Sequence, residues 1–390
     1  MRHSVNLVVG ALCFAAVGTF SVAPAAAMDP GPMPKMISIA TFDVGASGYA
    51  ELSAVNDAIF KKFGVKIRNV PIGNSVARAI ATKSGTTQLW QSCSAYYPCA
   101  EGIDDFSKAD WGPQPIRVFY MSNRAANYSP ATTKKSGIKS MAEVKGKRVA
   151  WIIGNPAINM QTEAYLAFAK LTVKDVTLVE FPGYTASLRG MIAGQVDVAL
   201  AASSSTGSYE IETSPVGLQW IPIPHNDTEG WKRIQARATF VAPVTVTSGA
   251  GIAKGTSLEA GSYPCPVVVA YANQNPKLVY WMTKMIVESW DLYKDTLSAA
   301  PYWQVDRALQ ARLAEPWHDG AIAYFKDIGK WTPELQARQD ELVKRQTLLI
   351  ATFAKAKQEF KASGKDAKEF PAFWEAHRIA TLKTAGMPLY

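Results

Sequence analysis

The sequence predicts an α/β protein of two lobes, each a mostly parallel sheet flanked by helices, with a helical C-terminal extension. Two observations predict this fold class. Strand-like and helix-like segments alternate from Met36 onward, which is typical of parallel sheets. The alternation then repeats from about residue 146 without visible sequence identity to the first unit, and 390 residues are enough for two domains.

The first lobe is predicted from three strands and the helices between them. The strands are "MISIATF", "VKIRNVPI" and "TQLWQS". The first helix, "YAELSAVNDAIFKKFG", is expected to end at Gly64, and the second is "VARAIATKSG". The stretch "IRVFYMSNRAANYS" predicts strands that leave this lobe.

The second lobe repeats this pattern, and the chain then returns to the first. Its strands are "GKRVAWIIG", "DVTLVEFPG" and "QVDVALAAS", and its helices are "TEAYLAFAKL", after a loop "NPAINMQ", and "YTASLRGMIAG". The strand "VVVAYAN" and amphipathic helices from Asn275 belong to the return. The predicted boundaries are 1–27 for a signal peptide, 28–128 for lobe I, 129–262 for lobe II, 263–331 for the return of lobe I and 332–390 for the extension.

The N-terminus predicts export. A short basic head, an apolar run and the small residues Ala25 to Ala27 form the pattern of a secretory signal, which we expect to be cleaved after Ala27 to leave a periplasmic protein. An uncleaved anchor is the less favoured alternative because the run is short for a membrane span of roughly 20 residues. The net charge of +9 is scattered. It indicates a solvated basic surface without a nucleic-acid partner, although such a field would also attract an anionic ligand.

The cysteines raise the question of catalysis. In an oxidising compartment we expect a disulfide between Cys93 and Cys99 in "LWQSCSAYYPCA", and a buried free thiol at Cys265. An enzyme that uses Cys93 with a histidine partner is the alternative. His225 and His318 lie in no metal-binding spacing, and no other catalytic motif is present. We therefore expect no enzymatic activity, no cofactor and no bound metal.

Four strand-to-helix loops predict a ligand site. They are "DVGASG", "IGNS", "GNPAINMQT" and "PGYTAS". Ligands of open α/β sheets bind beyond the carboxyl ends of the strands, and helix N-termini there attract anions. The alternative is that Ser47, Asn74, Ser75 and Thr185 are ordinary helix N-caps. With two lobes and an export signal, the loops predict a type II-like periplasmic binding protein fold that closes on a small organic anion.

The candidate ligand-binding residues come from these loops and from the neighbouring strands. Four aromatic residues are expected to wall the site: Tyr49, Trp90, Tyr96 and Tyr184. Arg124 and Arg189 are the candidate counter-charges, since a buried carboxylate favours bidentate arginine. The remaining candidates are polar residues and glycines: Gly45, Ser47, Gly48, Asn74, Ser75, Gln91, Ser92, Asn155, Asn159, Thr162, Thr185 and Ser203.

Several segments resemble one receptor family. "SGIKSMAEVKGKRVAW" is similar to the "SGIKSLADLKGKRV" segment of the TAXI family, the extracytoplasmic solute receptors of TRAP transporters. Four further stretches resemble that family in the same order, between about Met36 and Ile286: "ATFDVGASGYAELSAVNDAI", "VKIRNVPIGNSVARAIAT", "LWQSCSAYY" and "RGMIAGQVDVALAASS".

The resemblance implies a receptor that delivers an amino acid or organic acid to the permease of a TRAP transporter. We further expect the protein to be a monomer. The resemblance places nine of the candidates in three ligand loops: Gly45, Ser47, Gly48 and Tyr49; Asn74 and Ser75; and Gln91, Ser92 and Tyr96. Three loops depart from the family pattern, at "GNPAINMQTE", at Cys93 and at Tyr184–Thr185, so the ligand is not carried over. A receptor of the ABC-transporter type with the same fold is the alternative.

Overall fold

The structure is a computed structural model that describes residues 28–311 and 313–389. The predicted signal peptide, residues 1–27, lies outside the described residues. Within them the chain forms two five-stranded mixed sheets flanked by helices, one small three-stranded sheet and a helical C-terminal region. The predicted fold class, two α/β lobes with a helical extension, is confirmed.

The strands and helices have the following bounds. The strands are β1 Met36–Thr41, β2 Lys66–Pro71, β3 Leu89–Ser92, β4 Ile116–Met121, β5 Ala125–Asn127, β6 Ser129–Thr133, β7 Arg148–Ile152, β8 Thr177–Phe181, β9 Val198–Ala201, β10 Leu218–Trp220, β11 Ala242–Val246, β12 Leu258–Pro264 and β13 Val267–Tyr271. The helices are α1 Ser47–Phe63, α2 Ser75–Lys83, α3 Tyr96–Glu101, α4 Pro156–Phe168, α5 Tyr184–Ile192, α6 Thr206–Thr213, α7 Thr228–Arg237, α8 Pro276–Glu288, α9 Trp290–Tyr293, α10 Val305–Leu309, α11 Asp319–Asp327, α12 Pro333–Ser363 and α13 Phe370–Thr384.

Local sequence explains where several helices begin and end. Gly64 ends α1 in a left-handed conformation, and its N–H donates to the carbonyl of Phe60. Asn74 caps α2 by accepting a hydrogen bond from the N–H of Ala77 at 2.8 Å. Pro156 stands at the start of α4, where its fixed φ suits the first turn. Residues 156–161 therefore belong to a helix, and the predicted loop there is wrong.

The two large sheets share one strand order. In lobe I the order is β2-β1-β3-β13-β4, and in lobe II it is β8-β7-β9-β6-β10. In each sheet the first three strands are parallel, and the fourth runs antiparallel to its neighbours. In both sheets the antiparallel strand follows a passage of the chain between the lobes. Strand β6 comes after the chain leaves lobe I, and β13 comes after the chain returns from lobe II.

The crossing segments form the connection between the lobes. The chain leaves lobe I through β5 and returns through β12, and these two strands pair antiparallel, with Pro264 opposite Ala125. A third strand, β11, pairs with β12 and completes the small sheet. We call β5 and β12 the crossing strands.

A disulfide joins lobe I to the return segment, and it is not the predicted one. Cys93, in the turn after β3, is bonded to Cys265, with 4.9 Å between the Cα atoms. The predictions of a Cys93–Cys99 bridge and of a free Cys265 are wrong. The reason is α3: the predicted loop at residues 96–101 is helical, and it buries Cys99 completely in the core of lobe I.

The extension is anchored to lobe I by a buried charge cluster. Glu101, at the end of α3, accepts hydrogen bonds from Arg345 of α12 at 2.8 Å and from Arg378 of α13 at 2.6 Å. All three side chains are at least nine-tenths buried. Trp374 adds a hydrogen bond to the carbonyl of Gly102 at 2.7 Å. The pair of helices is therefore bound firmly to lobe I and has a small apolar core of its own.

Among the residues that the structure describes, none of the helices has both the length and the apolar composition to cross a bilayer.

We expect peptide mapping to identify the disulfide. Trypsin should release peptide 84–108, which carries Cys93 and Cys99, joined to peptide 255–277, which carries Cys265. Alkylation of denatured but unreduced protein should label Cys99 alone, because the other two thiols are bonded to each other. Recovery of an internally bridged peptide 84–108, with Cys265 alkylated, would contradict this assignment.

Replacing Glu101 by Gln should destabilise the protein strongly. Two buried guanidinium groups would lose a charged acceptor, which costs about 3 kcal/mol or more in the free energy of unfolding. Urea denaturation followed by tryptophan fluorescence measures this loss. The matched control is Arg189→Gln, which breaks an exposed ion pair with Glu210 and should leave the unfolding midpoint unchanged. Similar midpoints for the two variants would show that the cluster is not an anchor.

Candidate functional site

A small cavity lies between the lobes at the carboxyl ends of the strands, and we call it the cleft cavity. Its volume is about 30 Å³, which holds about one or two water molecules. It is lined by loop and helix residues of both lobes and by two tyrosines of the crossing region: Phe42, Asp43, Ala46, Gly73, Ser75, Arg78, Cys93, Tyr128, Asn155, Ala157, Ile158, Tyr184 and Tyr263. The lobes are therefore closed in this structure, and a larger ligand enters only when they separate.

Arg78 is the buried cation of the cleft cavity. It lies in the first turns of α2 and is 3% exposed. Its Nη1 donates to the carbonyl of Ile72 at 2.7 Å, and its Nη2 donates to Oγ of Ser75 at 3.0 Å. Its Nε is buried and has no hydrogen-bond partner among the described residues. The guanidinium lies 4.8 Å from the ring centre of Phe42, a cation–π contact.

Burial sets the electrostatics of Arg78. Removal from water lowers the pKa of Arg78 to about 10, while the charge of Asp43 acts in the opposite direction. The side chain therefore stays charged at neutral pH. Its guanidinium makes no ion pair with a carboxylate in the described part of the chain: the groups it touches are a carbonyl, a hydroxyl and an aromatic ring. An oxyanion that enters the cavity would supply the missing counter-charge.

Asp43 brings a negative charge to the same cavity. It follows β1, and its Oδ2 accepts a hydrogen bond from the N–H of Thr185 in lobe II at 3.2 Å. The cavity wall thus carries one buried cation and one carboxylate. Such an arrangement can hold a simple anion at Arg78 or both ends of a zwitterion.

Direct contacts join the lobes around the cavity. Hydrogen bonds cross at three further points: Ser75 Oγ to Asn155 Oδ1 at 2.9 Å, Val76 N to Gly154 O at 3.0 Å, and Thr206 N to Gly45 O at 3.0 Å. Gly73 and Gly183 bring two backbones together. A Cβ atom on Gly183 would lie 3.2 Å from the Cα of Gly73, so any side chain there would press the lobes apart.

Five of the predicted site residues lie at the cavity or on its rim. Ser75, Asn155 and Tyr184 line it. Gly45 and Thr185 lie at the rim, where each makes a hydrogen bond to the other lobe. The loops that the sequence analysis singled out are therefore brought together from both lobes.

Residues of β3 support the cavity from behind. Gln91 is fully buried; its Oε1 accepts from the N–H of Phe42 at 3.2 Å, and its Nε2 donates to the carbonyl of Gly48 at 2.6 Å. Trp90 and Ser92 are equally buried. These contacts hold the loop after β1 in place, and none of the three β3 side chains lines the cleft cavity.

Three predicted residues of lobe II make internal hydrogen bonds. Asn159 bonds both the N–H and the carbonyl of Ile152, at 3.0 and 2.8 Å. Thr162 donates to a carbonyl of its own helix at 3.1 Å. Ser203 donates to Oδ1 of Asn127, in a crossing strand, at 3.1 Å. All three are buried outside the lining of the cleft cavity.

The other predicted residues lie in or near helices of lobe I. Asn74 caps α2, as the alternative interpretation expects. Ser47 begins α1, and Tyr49 is half-buried in its first turn. Gly48 is packed against Phe42, where a Cβ atom would lie 2.7 Å from the ring. Tyr96 lines a different cavity, which is described below.

The two predicted counter-charges have partners elsewhere. Arg124 forms an ion pair with Glu51 at 2.8 Å, and burial raises the pKa of that carboxyl group. Arg189 pairs with Glu210 on the surface, and its side chain is 65% exposed. Neither lines the cleft cavity, where Arg78 provides the positive charge. One sequence signal was available: Arg78 follows Ser75 by three residues in a predicted helix, so both share the face that opens on the "IGNS" loop.

Aromatic rings form the wall at the crossing strands. The ring of Tyr128 lies 6.0 Å from that of Tyr184 and 5.6 Å from that of Tyr263. Tyr184 is fixed by two hydrogen bonds, to Ser205 at 3.1 Å and from the N–H of Ala202 at 3.0 Å. Once the lobes separate far enough to admit it, a flat apolar body could stack here beside the charged end. As for metals, residues 28–311 and 313–389 contain no cluster of three or more side chains that could hold an ion.

This chain is similar to several solved structures at low sequence identity. Three of them are a protein from Bordetella bronchiseptica RB50 (17% identity, 77% of this chain and 90% of that chain covered, TM-score 0.44), the alkanesulfonate-binding protein SsuA from Xanthomonas axonopodis pv. citri bound to MOPS (14%, 85% and 94%, 0.45), and an ancestral arginine-binding protein bound to arginine (15%, 70% and 99%, 0.41). All three TM-scores are below 0.5.

Sequence comparison adds one relationship. The search of curated proteins gave no match. The model of the NMT1-like family matches residues 100–329, which is more than half of the chain, and the protein therefore belongs to the NMT1-like family.

Proposed function

We propose that this protein is an exported solute-binding receptor that captures a small organic anion between its lobes, without chemical turnover. The observation that carries the proposal is Arg78, a charged guanidinium that is buried in a closed interlobe cavity and has no carboxylate bonded to it. A bound oxyanion would supply the missing acceptor at Nε and neutralise the charge.

The wall of the cavity narrows the ligand class. Tyr128, Tyr184 and Tyr263 offer apolar surface for an aromatic or aliphatic body next to the charged end. Carboxylates and sulfonates both match the planar fork of an arginine. Asp43 favours a second candidate, an α-amino acid, because its carboxylate could accept the ammonium group while Arg78 holds the carboxylate of the ligand.

The transporter that the receptor serves is a separate part of the proposal. We favour an importer of the ABC type, the alternative of the sequence analysis, since the family model that matches is that of the NMT1-like family and not that of the TAXI receptors. A TRAP permease, which the TAXI resemblance implies, is the second candidate. A neighbouring gene for a transport ATPase would support the first, and one for a fused-type permease would support the second. We further propose cleavage after Ala27, a monomeric mature protein and lobe boundaries as predicted from the sequence.

A thermal-shift screen should reveal the ligand class. Carboxylates, sulfonates, amino acids and aromatic acids are tested on the exported protein, whose N-terminal sequence should start at Met28. A ligand that binds only the folded state raises the melting temperature. Arg78→Met should weaken the affinity at least about 30-fold, which corresponds to ~2 kcal/mol. Arg78→Lys, which keeps the charge but not the fork, should bind with intermediate affinity.

The control is Arg189→Gln, which changes an exposed arginine and should bind like the wild type. A further variant, Asp43→Asn, separates the two ligand types: it should lose amino acids and retain simple acids. No response in any class, or unchanged affinity in Arg78→Met, would contradict the proposal.

Closure itself should depend on an ion pair between the lobes. Arg237 of α7 donates to Asp104 of lobe I at 2.9 Å and to Glu163 of its own lobe at 2.6 Å. Asp104→Asn removes the charge across the lobes, so the closed state should be less populated and ligand affinity should fall about fivefold. Glu163→Gln is the matched control because it leaves the interlobe contact intact.

Small-angle X-ray scattering of ligand-free protein measures the opening directly. Asp104→Asn should have a larger radius of gyration than Glu163→Gln. Equal radii and equal ligand affinities for the two variants would show that this ion pair does not favour closure.

A further inference from the structure

A second and larger cavity lies beside the crossing strands, and we call it the hinge cavity. Its volume is about 520 Å³, within the range of about 300–1,000 Å³ that is usual for small-molecule sites. Each part of the fold contributes to its wall: Tyr96 from lobe I, Phe240 from lobe II, Tyr263 from a crossing strand and Arg338 from the extension. The cleft cavity is far smaller, and among the described residues Tyr263 is the one that lines both cavities.

The walls of the hinge cavity are mainly apolar. Tyr96 and Tyr97 of α3 lie on one side with Met121 and the buried Leu313, and Phe240 of lobe II lies on another. Aromatic rings of this kind favour a flat ligand that can stack or pack edge to face. The body of a fitting ligand is therefore an aromatic ring system.

The polar groups of the wall define the rest of the ligand. Among the lining residues that the structure describes, Arg338 is the one with a charge, and the others with polar ends are neutral, such as Asn123 and Gln310. Arg338 is held in place by bonds to Glu341 at 3.2 Å and to the carbonyl of Leu313 at 3.3 Å. The ion pair with Glu341 compensates part of the charge of Arg338, and the hydrogen-bond donors of Arg338, Asn123 and Gln310 still favour an anionic or hydrogen-bond-accepting group over a positive one.

Tyr263 separates the hinge cavity from the cleft cavity. Its ring stacks on Tyr128 at 5.6 Å on the side of the cleft and packs edge-on against Phe240 at 5.4 Å on the side of the hinge cavity. Its hydroxyl accepts a hydrogen bond from Gln161 of α4 at 3.0 Å. One side chain thus forms part of the wall of both cavities.

We propose that the hinge cavity is a second ligand site, for an aromatic compound with one anionic group, and that its occupation is linked to closure of the lobes. Occupation is linked to closure because the residues that line the cavity come from both lobes. Phe240 and Thr239 belong to lobe II, whereas Tyr96 and Leu313 belong to lobe I, so a ligand that touches both sets binds best when the lobes are closed. This proposal does not depend on which solute binds at Arg78.

The probe for this site is 8-anilinonaphthalene-1-sulfonate, an aromatic sulfonate whose fluorescence rises in apolar surroundings. Because the cleft cavity also favours aromatic sulfonates, probe binding is measured in the Arg78→Met variant, where we expect saturable binding of one equivalent. Ala314→Trp places a bulky side chain in the hinge cavity and should weaken the probe at least tenfold. Arg78→Met changes only the cleft cavity, so the tryptophan variants of the hinge cavity are made in that background, and the probe that still binds there reports the hinge cavity.

A second variant that fills the cavity shows whether an effect of Ala314→Trp is caused by misfolding. Thr239→Trp fills the cavity from the wall of lobe II, where residue 239 is exposed and tolerates a larger side chain. Circular dichroism checks both variants. Absence of saturable binding would overturn the second site, as would probe binding that Arg78→Met abolishes and both tryptophan variants preserve.

Scattering tests the link to closure. Saturating probe should reduce the radius of gyration of Arg78→Met, in which the cleft site is disabled, and should have no such effect on the double variant Arg78→Met/Ala314→Trp. Bound probe with an unchanged radius would overturn the link.

Discussion

Taking a guanidinium out of water costs several kcal/mol even after the protein relaxes around it, and Arg78 bears that cost at the centre of the cleft. Its position increases this free-energy cost, because the N-terminal end of α2 carries the positive end of the helix dipole. The surroundings offset part of it: the carbonyl of Ile72, the hydroxyl of Ser75, the face of Phe42 and the charge of Asp43. The loops after β1 and β2 are thus arranged around one charge, and lobe II closes over it through Asn155.

The connection between the lobes also organises the side of the molecule that carries the hinge cavity. The crossing strands and the Cys93–Cys265 bond tie the end of β3 to the return segment, so Tyr263 is held between the two cavities. The extension, joined to lobe I through Glu101, adds Arg338 to the wall of the hinge cavity. A segment without a predicted role therefore contributes to a surface that neither lobe forms alone.

The fold class was predictable because it depends on local periodicity: alternating strands and helices with glycine or asparagine at helix ends can be recognised without knowledge of contacts. The disulfide was not, because Cys93 and Cys265 are separated by 172 residues and meet only through the topology. The loops around Ser75, Asn155 and Tyr184 were found because ligands collect at the carboxyl ends of strands. Arg78 was not predicted as a site residue because its burial depends on contact with the second lobe. The sequence of α2 alone does not show that this lobe covers the side chain.

The central place of β13 in the sheet of lobe I has a consequence for the order of folding. This strand lies between β3 and β4, yet it follows the whole of lobe II in the chain. Its residues Val267 to Val269 are fully buried, so the sheet lacks part of its core until they arrive. Lobe II, by contrast, has all five of its sheet strands within residues 129–220 and needs no late segment to complete that sheet. During synthesis, which starts at the N-terminus, the sheet of lobe II can therefore be completed before that of lobe I, whose central strand arrives late and gives that sheet a high contact order.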